Sequence, residues 1–324
     1  MHNVLAWLKD LRSGVSHAPS NCCGVALQDK QLVAVQIAPA SRHRPVILNY
    51  AVLPAASGVD SQTLQQVARC IDLSRTELRY VLASHQYRLQ LIELPPVPDG
   101  ELKQALGWRL PELFADHHDQ QEPSSSNFTF DVLPLPSTQF NKPPSQALVF
   151  GLSNRALQPL QMAFHAASLP IDVVDVAALA QRNLSALAEP DGRGLAVLSF
   201  HENGGLLTIT QGGELYLVRH FETSLTQLMR ADDEGRNLLL ERVALDVQRS
   251  FDVFDRQYQT VNLSRLLIAP MPLLPGLLPS LQQNLFVPVD WFDLDSLFDL
   301  PDEVHTWLLW SALGAALRPL GDAA

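Results

Sequence analysis

Between Gly194 and Phe221 the chain reads GLAVLSFHENGGLLTITQGGELYLVRHF, three runs of strand-forming residues separated by two glycine-bearing turns. Leu195, Val197 and Phe200 open a nearly unbroken apolar run. Asn203, Gly204 and Gly205 are residues that accept positive φ, and Leu206 to Thr210 is a β-branched return. Gly212 and Gly213 turn the chain again into Leu215 to Phe221. The stretch predicts a compact three-stranded meander that builds the core of the later part of the chain.

An outline of the same kind stands near the start. Gly24 to Ile37 predicts a strand, a turn around Gln28, Asp29 and Lys30, and a second strand, with Val46 to Leu53 as a third. Two such openings predict a duplicated α/β architecture with two similar halves. In the first half, helical spacing runs from Ser61 to Leu73 behind a cap at Asp60 or Ser61, and strands are expected at Tyr80–Ser84 and Arg88–Leu94. Pro95, Pro96 and Pro98 stop the second of these. A helix from Glu101 to Phe114 is expected behind a cap at Asp99, kinked at Pro111 unless a new first turn begins there. Strands at Phe128–Leu135 and Gln146–Leu152 and helices at Asn154–Ser168 and Asp172–Ala188 complete this half. After the meander, helices are expected at Ser224–Met229 and Glu234–Tyr258, the latter with Val243, Val247, Phe251, Phe254 and Tyr258 on one face. A strand at Leu263–Ala269, a short helix at Gly276–Asn284, a strand near Phe286–Val289 and a helix at Val304–Leu317 follow. The expected units are residues 1–21 as a short helix and linker, 22–190 as the first half with an inserted α+β subdomain at about 85–148, and 191–324 as the second half.

A formal charge of -11 over 324 residues argues against broad attraction to nucleic acid or anionic lipid. Cys22, Cys23 and Cys70 are neither a disulfide framework nor a metal-binding spacing, which fits a reducing cytoplasm. No signal peptide is evident, and the apolar stretch Val304–Leu317 falls short of the ~20 residues that cross a bilayer. Val4, Leu5, Leu8 and Leu11 could line one side of an N-terminal helix that docks on its own domain or touches lipid.

Isolated residues carry little catalytic signal. His117, His118 and Asp119 are possible metal ligands, but adjacent histidines project differently and a solvated loop accounts for the run. His201 with Asp29 lacks an accompanying nucleophile motif, and Ser153 and Ser199 lack the glycine context of a nucleophile elbow. No catalytic residue and no metal site is expected.

The two strand-turn-strand openings, the helix ERVALDVQRSFDVFDRQYQ, the segment LLIAPMPLLPGL and the closing ALGAALR together resemble the PilM group of actin-like pilus-assembly proteins. The segment YRLQLIELPPVPDGELKQALGWRLPELF followed by FTFDVLPLP is similar to the small inserted subdomain of that group and of the cytoplasmic part of GspL in type II secretion. The resemblance implies an actin-like (ribonuclease H-like) bilobed fold with a nucleotide cleft between the halves.

Position by position, that cleft is degenerate. Where active relatives have a pattern like G-[IV]-D-[IV]-G, Gly24 matches, Ala26 stands in the carboxylate's place and Gln28 in the second glycine's. In the second loop Ser199 and His201 take the places of Asp and Gly, and in the adenosine loop Pro270 and Met271 replace small residues. Glu241 lies on the helix where relatives keep an acidic residue toward the nucleotide. Without a fixed carboxylate for Mg²⁺ and close backbone approach to phosphate, ATP and Mg²⁺ are not expected to bind tightly, and the chain is not expected to be an enzyme. The resemblance implies instead a cytoplasmic scaffold of type IV pilus assembly, peripheral to the inner membrane. Its partners would be the cytoplasmic N-terminal segment of a PilN-like inner-membrane protein and other assembly-platform proteins of the mannose-sensitive haemagglutinin (MSHA) class, with homo-oligomerisation possible. The groove beside the inserted subdomain offers Leu91, Leu102, Leu106 and Trp108 as candidate contacts. The alternatives are residual ATP binding of the PilM type and a GspL-like secretion module.

Overall fold

A computed structural model describes residues 21–38, 45–114, 127–137, 143–300 and 305–319. Two five-stranded sheets share one topology. The first has the order β3-β2-β1-β4-β8, built from β1 (Asn21–Gln28), β2 (Gln31–Ile37), β3 (Ile47–Pro54), β4 (Thr76–Leu82) and β8 (Val173–Val176). The second has the order β11-β10-β9-β12-β13, built from β9 (Gly194–His201), β10 (Gly204–Gln211), β11 (Glu214–Phe221), β12 (Leu263–Ile268) and β13 (Val289–Trp291). In each sheet an antiparallel meander is followed by two strands added in parallel beside the meander's first strand. The duplication expected from the two openings is present.

Two of the hairpin turns show different chemistry. Gly212 and Gly213 close the β10–β11 turn at φ 60° and 76°, angles that cost glycine nothing. Asp29 and Lys30 close the β1–β2 turn at φ 48° and 57°, where a side chain is strained and only the asparagine-like geometry of Asp29 softens the penalty.

Period-two alternation assigns the two faces of each sheet. From β1, Cys23 and Val25 face one layer, where helices α1 (Ser61–Cys70) and α4 (Asn154–Ala166) close a core with Leu64, Val67 and Phe164. Asp60 caps α1 by accepting the amide of Thr63 at 2.8 Å, and Ser153 caps α4. From β9, Ala196, Leu198 and Phe200 face α7 (Asp233–Gln257) and α8 (Leu277–Asn284), and the short α6 (Leu225–Arg230) precedes them behind a complete capping box of Ser224 and Gln227. The buried stripe of α7, Leu240, Val243, Ala244, Val247, Phe251 and Phe254, follows the helical period.

The opposite faces carry one helix each, and these are exchanged. Helix α5 (Ala177–Ala188), which leaves the first sheet, covers the second. Helix α9 (Thr306–Ala316), at the end of the described chain, returns to cover the first. Glycines make the exchange possible: a Cβ at Gly24 would lie 1.9 Å from the carbonyl oxygen of Ala312, and one at Gly314 would lie 2.3 Å from that of Ala180. Asn183 Nδ2 then donates to Gly314 O at 2.9 Å where α5 and α9 cross.

A third sheet, order β5-β7-β6, comprises β5 (Arg88–Glu93), β6 (Phe128–Pro134) and β7 (Gln146–Ser153) and carries α2 (Asp99–Gly107) and α3 (Leu110–Phe114) on one face. Phe114 lies flat on Gly151, where a Cβ would strike its ring at 2.5 Å.

Four expectations change. The predicted helix Glu101–Phe114 is two helices broken at Trp108 and Arg109, and Pro111 falls in the first turn of the second, where its missing amide costs nothing. The cap position is Pro98 rather than Asp99, with no side-chain cap bond. Val173–Val176 is a strand, not the start of a helix: three β-branched residues continue the edge of β4, after Asp172 has accepted the amide of Leu78 at 2.8 Å. The strand expected at Phe286–Val289 begins only at Val289, since Pro288 has no amide to donate and offers just its carbonyl to Leu266. The N-terminal helix and the His117–His118–Asp119 run lie outside the described residues.

Candidate functional site

β1 and β9 are both eight residues long, so Gly24, Ala26 and Gln28 correspond to Val197, Ser199 and His201. All six belong to the alternating set that faces the exchanged helices. Gly24 therefore serves packing: its bare Cα admits the backbone of α9, leaving no open approach for a ligand. Ala26 is 2% exposed within the core beneath α9. Gln28 Nε2 donates to the carbonyl of Trp307 at 2.8 Å, tying the end of β1 to the opening turn of α9.

In the second half the same positions bond to α5. Ser199 donates its hydroxyl to Gln181 Oε1 at 2.6 Å, and Gln181 Nε2 donates in turn to Val197 O and Thr208 Oγ1. With its only proton committed, Ser199 accepts from His201 Nε2 at 3.2 Å. The imidazole is thus a donor toward the serine, the opposite of the arrangement that activates a nucleophile. Burial, reinforced by His220 and His85, pushes His201 down to about 4, so it is neutral at pH 7.

Around His201 the halves meet. Asn203 Nδ2 lies 2.9 Å from His85 Nδ1 of the β4–β5 turn, and Tyr87 meets His220 edge-on with its hydroxyl 3.5 Å from Nε2. The two hairpin turns also approach each other. Burial first, and then the adjacent Asp29 carboxyl, hold Glu202 above the usual carboxylate range, partly offset by Lys30. A phosphate between these turns would meet carboxylates, where an anion needs free amides.

Beyond β12, Pro270 and Met271 form one wall of a pocket of about 410 Å³, with Leu273, Trp291, Asp293 and Asp295 around it. Glu241 is an exposed residue of α7, and its neighbour Arg242 pairs with Glu222. Of the partner candidates, Leu91 is half exposed on the face of β5 away from α2 and α3, and Trp108 is 78% exposed at the break between those helices. Leu102 packs against the small subdomain's core, and Leu106 is fully buried in it, so the four residues do not form one surface. Among the described residues no group of three His, Cys, Asp or Glu side chains is placed to hold a metal ion, and no helix is long and apolar enough to cross a membrane.

Gln181, His85, His220 and Trp291 were not singled out by sequence. The nearest available signal for Gln181 was a polar residue on an otherwise small and apolar helix. The histidines carried none, because a contact across 118 residues has no local period.

No protein-family model and no curated protein matches the sequence. Among solved structures the chain is similar to one in a PilM-PilN type IV pilus biogenesis complex, at 17% identity and TM-score 0.71, over 92% of this chain and 98% of that one. It also matches a Bacteroides thetaiotaomicron protein with an actin-like ATPase fold and unknown function, at 13% identity and TM-score 0.48, over 86% and 94% of the two chains. A third match is the cytoplasmic domain of EpsL, an inner-membrane component of the type II secretion system of Vibrio cholerae, at 15% identity and TM-score 0.47, over 90% and 93%. The fold of this chain is actin-like.

Proposed function

We propose that the chain is a PilM-like, non-enzymatic scaffold of type IV pilus assembly that binds the cytoplasmic N-terminal segment of a PilN-like inner-membrane protein. Within that group its sequence looks most like MshI, which makes an MSHA-type pilus the preferred setting. The protein would act in the cytoplasm and reach the inner membrane through its partner.

The observation that carries the non-enzymatic part is the double substitution of the phosphate loops by internal bonds. Gln28 is tied to α9 and Ser199 to α5, while Asp29 and Glu202 put negative charge between the turns. The likeness over nearly the whole length of a chain from a PilM-PilN complex supports the binding part. An extended segment can dock by adding to a sheet edge, and β5 is an edge strand with Leu91 half exposed.

Two measurements test this. Calorimetry with Mg-ATP is expected to give no binding heat at millimolar nucleotide, and micromolar binding would overturn the non-nucleotide part. A partner segment immobilised on beads should retain wild-type protein and lose Leu91→Asp/Trp108→Asp. Equal retention of both, with folding intact, would remove docking at the β5 edge and at the α2–α3 break.

A further inference from the structure

The pocket beside Pro270 and Met271 has a chemistry of its own. Its floor includes the buried Phe292 and Leu294, and its rim carries Leu273, 84% exposed, the exposed indole of Trp291, and the exposed carboxylates Asp293 and Asp295. From Leu266 to Leu317 the chain has no Lys or Arg at all, and among the described residues no cationic side chain lies within ion-pair distance of Asp293 or Asp295. An open concavity of mixed lining, with an aromatic side and two carboxylates that no cation among the described residues pairs, Asp293 also accepting the amide of Ser296 at 3.1 Å, repels an anionic nucleotide. It matches a side chain that is apolar along its stem and cationic at its tip.

We propose that this pocket receives an arginine or lysine side chain, flanked by apolar residues, from the cytoplasmic segment of the membrane partner. The proposal rests on the function proposed above and adds the residues that recognise charge. Such segments suit the site on general grounds, because cytoplasmic stretches next to a membrane span carry an excess of Lys and Arg. The indole of Trp291 faces the cation, the carboxylates of Asp293 and Asp295 neutralise it, and Met271 and Leu273 cover the stem.

A labelled peptide of alternating leucine and arginine is titrated against the full chain beside a twin in which glutamine replaces arginine. Wild type is expected to bind the arginine peptide about tenfold more tightly than the twin at low salt, with the difference shrinking as salt rises. Asp293→Asn/Asp295→Asn, conservative and exposed, should remove that difference, and Trp291→Ala should reduce it, with melting temperatures near wild type. Equal affinity for the two peptides, or for wild type and the double asparagine variant, overturns the proposal. The partner's own segment separates this from the broader reading. If Leu91→Asp/Trp108→Asp abolishes its binding and Asp293→Asn/Asp295→Asn leaves it unchanged, the pocket proposal fails and the scaffold reading stands. If wild type binds no such segment, the scaffold reading fails.

Discussion

His201 ends β9 at the position that Gln28 holds in β1, and its surroundings give it a pH dependence. Partial desolvation lowers the pKa values of the exposed His85 and His220 as well, and the three lie where the β4–β5 turn meets the β9–β10 turn and β11. In the unfolded chain these imidazoles titrate near ~6.5. Folding holds them neutral, so the unfolded state binds more protons as pH falls from about 6.5 toward about 4. Their stabilising contribution is complete above that window and is lost on descending through it. Urea unfolding at pH 7.5 and 5.0 should show wild type losing on the order of 2 kcal/mol between the two, and His201→Gln should flatten the dependence. A wild-type midpoint independent of pH would refute this. Sequence alone placed His201 at the end of a strand. That it is half-buried beside two other histidines, and bonded to a serine whose proton is already used, depends on residues outside its own strand, His85 and Gln181 among them.

Helix α9 is held at both ends by the first sheet. At its start Gln28 bonds to Trp307. At its end the fully buried Arg79 of β4 donates to the carbonyls of Ala315 and Ala316 at 3.1 Å and to that of Arg318, while its Nε pairs with Glu77 at 2.8 Å. A guanidinium is suited to this place, since it answers several orphan carbonyls at once and sits at the negative end of the helix dipole. Replacing it removes the guanidinium from the carbonyls of Ala316 and Arg318 and from Glu77, while Ala315 keeps the amide of Arg318. Arg79→Met is expected to cost about 3 kcal/mol or more, measured by chemical denaturation. Gly24→Ala should be comparably harmful, because the new methyl meets a helix backbone that cannot rotate away as a side chain would. Stability of Gly24→Ala within about 0.5 kcal/mol of wild type would show that α9 is not seated this closely. At this level sequence was a good guide where a period repeats, as in the stripe of α7 and both meanders. It failed for β8 and β13, strands of 4 and 3 residues whose pairing with β4 and β12 decides their extent.

Viewed whole, the two halves are joined by their exchanged helices as well as by the turns that face one another. Two of the positions compared with phosphate loops are occupied by internal bonds, Gln28 to α9 and Ser199 to α5. Placing a carboxylate at this position with Ala26→Asp would bury a charge under α9, so it should destabilise the fold by about 3 kcal/mol or more and leave Mg-ATP unbound in calorimetry. Gain of tight nucleotide binding by Ala26→Asp/Gln28→Gly would contradict this account. Alternating apolarity, glycine turns and two matching openings determined by themselves that the chain builds two similar α/β units, because strand and turn preferences are local and a period survives without the rest of the molecule. The side chains at the degenerate loop positions were equally visible. Tertiary structure alone decided what those side chains do. The crossing of α5 and α9 and the tie of Gln28 to Trp307 arise from contacts between segments more than a hundred residues apart, the Ser199–Gln181 bond and the acidic aromatic pocket from segments nearer in the chain, and no local preference encodes which backbone a given side chain will meet.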